Sequence, residues 1–135
     1  MKNAKPFAVI LLFISFLFTN CSPDHEFLFT TNEIITRGSW GVEFFANADK
    51  TATYGNYTFQ FNGNGTLQGT NGINTATGKW NVIRDAARAD VLTINMSEQN
   101  NVYELSNVWD VKAKSTQAFT FQAKGNNTEF RLRKL

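Results

Sequence analysis

From Gly38 to the end of the chain, apolar residues recur at every second position, and clusters of Gly, Asn and Asp break the pattern at short intervals. A period of two places successive side chains on opposite faces of an extended strand. Trp40, Val42 and Phe44 share one face of a first strand, with Glu43 opposite. Tyr57, Phe59 and Phe61 share a face of the second, with Thr58 and Gln60 pointing away. Asn62-Gly63-Asn64-Gly65 is the strongest turn in the chain, because Asn and Gly tolerate the positive φ that tight hairpins require.

The same alternation carries on to the C-terminus. Thr66–Gly69 forms a short third strand and Gly78–Arg84 a fourth, with Trp80 and Val82 inward. Leu92, Ile94 and Met96 face inward on a fifth. Tyr103, Leu105, Trp109 and Val111 make an interrupted sixth, Phe119 and Phe121 a seventh, and Phe130 and Leu132 an eighth. Ala46–Lys50, Asp85–Asp90 and Gly125–Asn127 read as loops, and no segment carries a convincing helical period. Short strands with hairpin-length links predict an all-β antiparallel meander. One apolar face per strand requires a single enclosed interior. Closure into a barrel supplies it and removes the exposed edges, while a two-sheet β-sandwich also satisfies the pattern.

The start of the chain has another character. Lys2 and Lys5 precede an uncharged apolar run from Phe7 to Phe18, and Thr19-Asn20 leads into Cys21, the only cysteine. A charged start, an apolar middle and a processing site are the three parts of an export signal. The run is too short to cross a bilayer, which takes about 20 helical residues. Residues 1–20 therefore read as a signal peptide cleaved before Cys21, and a cysteine at that place resembles a lipoprotein processing site. Residues 21–33 read as a lipidated tether and 34–135 as the barrel domain. The expected location is the cell envelope, as an outer-membrane lipoprotein facing the surface or the periplasm. The membrane is met through Cys21, and Asp24 and Glu26 behind it resemble a surface-export stretch.

Composition narrows the chemistry. The full chain has 13 basic and 11 acidic side chains. Loss of Lys2 and Lys5 with the leader leaves 11 of each, a neutral chain with no footprint for nucleic acid and no polybasic stretch for an anionic membrane. The sole histidine, His25, falls in the tether. The folded part thus has neither His nor Cys, which excludes a Cys/His zinc site, a Ser-His-Asp relay and a Cys-His nucleophile. A carboxylate pair is the remaining hydrolytic device, and nothing in the sequence pairs Glu43, Asp49, Glu98, Glu104 or Asp110 across a cleft. The reading is a non-enzyme with no cofactor.

Four motifs in order resemble a known group. Gly38-Ser39-Trp40 is similar to the Gly-x-Trp that opens the first strand of lipocalins. Tyr57–Phe61 running into Asn62-Gly63, Gly78–Trp80 and Trp109–Val111 complete the layout of small lipocalin-like lipoproteins of Bacteroidota-type bacteria. The resemblance spans about Ile34 to Leu135 and implies a lipocalin-like barrel, with Arg131 or Arg133 packing over Trp40. It implies a binding role.

The aromatic set Trp40, Tyr57, Phe59, Trp80, Trp109, Phe119, Phe121 and Phe130 then either lines a cup for a small hydrophobic ligand or fills the interior as core. An eight-stranded barrel is just wide enough to be filled by side chains or to hold one small ligand. Rings that bury about 150–250 Å² each favour the filled state. The two functions that follow are carriage of a small apolar molecule, or a protein-interaction or inhibitor module that meets an envelope protein.

Overall fold

A computed structural model of the chain describes residues 29–135. The leader, Cys21 and most of the expected tether lie outside the described residues.

Eight strands form: β1 (Trp40–Phe45), β2 (Thr58–Phe61), β3 (Thr66–Thr70), β4 (Thr75–Arg84), β5 (Asp90–Met96), β6 (Asn107–Lys114), β7 (Ala118–Ala123) and β8 (Glu129–Lys134). Each pairs antiparallel with the next, and β8 returns to β1. The sheet is a closed barrel and not a sandwich, so every strand has two partners and no ladder edge is left for aggregation. β4 is longer than its sequence pattern suggested, because Thr75 and Ala76 continue the ladder with Thr70 and Gly69.

A bulge corrects the facing of β1. Val42 pairs with Leu132 and Phe44 with Arg131, so three residues of β1 oppose two of β8. The extra residue reverses the alternation. Phe45 turns inward opposite Phe130, and Phe44, expected inside, lies under the Arg131 guanidinium at 4.9 Å on the outside. Arg133 is engaged by Glu43 at 2.8 Å. The arginine expected over Trp40 is thus committed elsewhere at both positions. Tyr57 precedes β2 but is buried, and Val82 is half-buried.

Two short helices were not expected. α1 (Thr31–Ile35) starts at a capping box in which the Thr30 hydroxyl accepts from the Glu33 amide and the Glu33 carboxylate accepts from the Thr30 amide. Thr31, Ile34 and Ile35 are buried, so the domain begins near Thr30 and the tether ends before the expected Glu33. α2 (Ala48–Tyr54) begins in the supposed loop at Ala46–Lys50, with Asn47 as N-cap accepting from the Lys50 amide at 3.0 Å. Tyr103–Leu105, expected as strand, is a single 3-10 turn.

The helices stop the two ends of the barrel. At the proximal end, where β1 begins, Ile34 and Ile35 of α1 sit under the core, and the Trp40 indole N–H donates to the Ile35 carbonyl at 2.8 Å. At the distal end, Tyr54 of α2 stands edge-on to Phe45 with ring centres 5.0 Å apart, and the Thr51 hydroxyl accepts from the Phe45 amide.

Gly69 shows how tightly the space between is used. A Cβ there would lie 2.6 Å from Cε1 of Phe59, whose ring is itself stacked on Tyr57. Gly69→Ala is expected to cost about 1–3 kcal/mol by overpacking. Gly63→Ala, with nothing within 4 Å of its added Cβ, serves as the neutral control in the same urea titrations. Equal midpoints for the two variants would mean that the Phe59 ring can move aside.

Candidate functional site

All eight residues of the expected cup are buried inside the barrel. Five of them form one chain of ring contacts, Tyr57 and Phe59 stack on each other, and Trp80 pairs with Phe61. Trp40 meets Phe119 edge-on at 5.1 Å, Phe119 stacks on Phe121 at 5.4 Å, and Phe121 on Phe130 at 5.4 Å. Phe130 then meets Trp109 at 5.2 Å, and Trp109 meets Phe45 at 6.1 Å. With Tyr54 beyond Phe45, a continuous ladder of rings runs from the proximal helix to the distal one. These spacings are those of favourable aromatic pairs. Trp80 and Phe61 form a second pair at 5.5 Å, and the Trp80 indole N–H reaches the Asn62 and Thr66 carbonyls of the first hairpin.

The sequence pattern missed Phe45 and Tyr54 as members of the ladder, and Ile34, Ile35, Val102 and Leu105 as its end walls. Phe45 was hidden by the bulge. The others stand in helices too short to show a period. The Thr30-x-x-Glu33 capping box ahead of Ile34-Ile35 was the one available sign.

Several depressions on the outside are open to solvent. One of about 670 Å³ lies over β3 to β5 among Leu67, Gln68, Thr77, Lys79, Asn95 and Met96. A distal one of about 350 Å³ is bordered by Phe45 and Trp109 of the ladder together with Lys50, Glu104, Asn107 and Asn126. There Glu104 bridges α2 and the 3-10 turn, paired with Lys50 and accepting from the Tyr54 hydroxyl at 3.0 Å. Lys50 and then Tyr54 hold the Glu104 carboxyl below its ordinary range. Burial, reinforced by that carboxylate, pushes the Tyr54 phenol well above its own.

A third depression, about 530 Å³, lies at the proximal end between the β4–β5 hairpin and β6. Asp90 sits at its back, accepting from the Thr31 hydroxyl at 2.5 Å, from Lys114 at 3.1 Å and from Arg84 at 3.4 Å. Burial pushes the Asp90 carboxyl up, but Thr31, Lys114 and Arg84 together outweigh it and leave the group below the usual carboxylate range. Asp90 therefore remains an anion, neutralised where it stands. Among the described residues, no three His, Cys, Asp or Glu side chains gather as a metal site would need.

No family model matches the chain, and no curated protein is similar to it in sequence. A solved structure that does match in shape is a DUF4847 family protein from Bacteroides vulgatus ATCC 8482. The two share 19% identity with a TM-score of 0.53 over 77% of this chain and 96% of that one. At that identity the likeness is one of fold, and it places this chain beside a Bacteroides protein built as the same kind of barrel.

Proposed function

We propose that this chain is a lipid-anchored module of the bacterial cell envelope whose barrel is a filled scaffold, and that it acts by binding a protein partner with its outer surface. The ladder of rings from Trp40 to Tyr54 carries this reading. It occupies the space in which a carrier would hold its cargo, and α1 and α2 stop both mouths. The anchor is the lipid on Cys21, argued from the leader. The chain performs no catalysis in this reading. Outer-membrane placement follows from the same leader, with the facing side left to experiment.

Two measurements test it. Cells fed labelled palmitate should label the wild type and not Cys21→Ser, and equal labelling would remove the anchor. Oleic and palmitic acid should give no saturable shift of tryptophan fluorescence and no rise in melting temperature. A ligand that binds only the folded barrel would stabilise it by about 2.7 kcal/mol at a hundred times its dissociation constant. A one-to-one shift of that size would restore the carrier reading.

A further inference from the structure

The sequence has no run of basic residues, yet the fold assembles a basic face from separate segments. Arg84 and Arg88 flank the β4–β5 hairpin, and Lys112 and Lys114 close β6. All four border the proximal depression. Arg37, at the end of α1, and Lys134, at the end of β8, lie at the same end of the barrel. The hairpin that presents Arg88 is fixed: the Arg88 amide donates to the Asp85 carbonyl, the Ala89 amide donates to the Asp85 carboxylate, and the Ala89 carbonyl accepts from the Asp85 amide. Against these cations stand Glu33, Asp85, Asp90, Asp110 and the terminal carboxylate; Asp90 is already held by Thr31, Lys114 and Arg84, and Asp110 lies 3.8 Å from the Lys112 ammonium.

The position of the chain's start says what lies opposite this face. The Thr31 hydroxyl donates to Asp90, so α1 packs directly against the basic depression. The described chain begins at Phe29, eight residues after Cys21. Eight residues reach at most about 28 Å when fully extended. A lipid on Cys21 therefore tethers the barrel from beside its proximal end.

We infer that the proximal basic face, with Arg84, Arg88 and Lys112 at its rim, docks on the phosphate-bearing anionic headgroups of the membrane that holds the anchor. The inference rests on the anchoring proposed above. Docking would set the barrel upright on its tether, with α2 and the distal loops turned outward to the partner. Exposed cations suit this role, since each Lys or Arg close to an anionic bilayer adds roughly fivefold to the partition constant. Arg84 and Lys112 keep half or more of their side chains exposed, at 61% and 50%.

The test uses the mature chain carrying Cys21→Ser, which lacks the anchor but retains a barrel closed at both ends. It should sediment with vesicles of phosphatidylethanolamine and phosphatidylglycerol, not with phosphatidylcholine alone, and added salt should release it. The triple variant Arg84→Gln/Arg88→Gln/Lys112→Gln should partition on the order of 100-fold less, three fivefold steps. Lys114 is left in place because it holds Asp90. Lys124→Gln, altered at the distal β7–β8 turn, should bind as the parent does. Circular dichroism melts matching the parent would show that the triple variant is folded. Equal binding to both vesicle types, no binding to the anionic ones, or unchanged binding by the triple variant would each overturn the inference. A failed palmitate label with anionic binding intact would instead remove the anchor alone.

Discussion

Trp109→Ala should lower the stability of the barrel by about 3–5 kcal/mol, the range for deleting a fully packed aromatic. Trp109 is wholly buried and sits in the ladder between Phe45 and Phe130, so its removal takes away the ring contacts on both sides. Its indole N–H also donates to the Leu105 carbonyl at 2.9 Å, and that acceptor would lose its partner in a buried setting. An unsatisfied buried polar group costs about 1–3 kcal/mol. Domains of this size are stable by only about 5–15 kcal/mol, so the variant should stand near the edge of folding. The measurement is a urea midpoint at unchanged slope. Trp109→Phe, which keeps the ring but not the N–H, should fall between the two. A midpoint for Trp109→Ala equal to the parent's would mean that the ladder is not the core.

The strands were legible because a barrel wall must keep one face dry. That demand repeats at every second residue, and Tyr57-Phe59-Phe61, Leu92-Ile94-Met96 and Phe119-Phe121 each display it in full. An enclosed interior was legible for the same reason, while alternation alone did not separate a closed barrel from a two-sheet sandwich. What escaped the pattern are the places where period two is broken. The bulge beside Glu43 exchanges Phe44 for Phe45, and no residue type at that site announces it. The two end helices bury only Thr31, Ile34, Ile35 and Tyr54, too few positions to build a helical period, so capping chemistry at Thr30 and Asn47 was the only local sign. The basic proximal face was invisible for another reason. Arg84, Arg88, Lys112 and Lys114 are separated in sequence and meet only because β4, β5 and β6 are neighbours in the sheet.

The aromatic set was legible as interior, but its packing was not. Alternation says which way a ring points and nothing about whether it meets another ring or a void. That depends on the ends. With α1 and α2 at the two ends, the ladder has walls to press against, and in the function proposed above the barrel is a scaffold that recognises with its outside. The Gly69 backbone lying under Phe59 is part of the same economy of space.

Trp40→Ala should cost a similar amount, about 3–5 kcal/mol, but with a different local signature. Trp40 is the proximal rung of the ladder, wholly buried against Phe119, and its indole N–H holds the Ile35 carbonyl at the end of α1. A five-residue helix has no stability of its own, so α1 depends on its buried residues and on this bond. Its removal should free the helix before the barrel opens. Amide exchange at Ile34 and Thr36, which donate within α1, should then speed up more than exchange in β5 and β7. Trp109→Ala should leave those two amides tied to global unfolding, because its indole bond lies at the distal end. If exchange in α1 followed the strands equally in both variants, the helix would be held by Ile34 and Ile35 alone. The Thr31 bond to Asp90 would then loosen only with the whole domain, and the geometry that brings the basic face beside the tether would be as firm as the barrel itself.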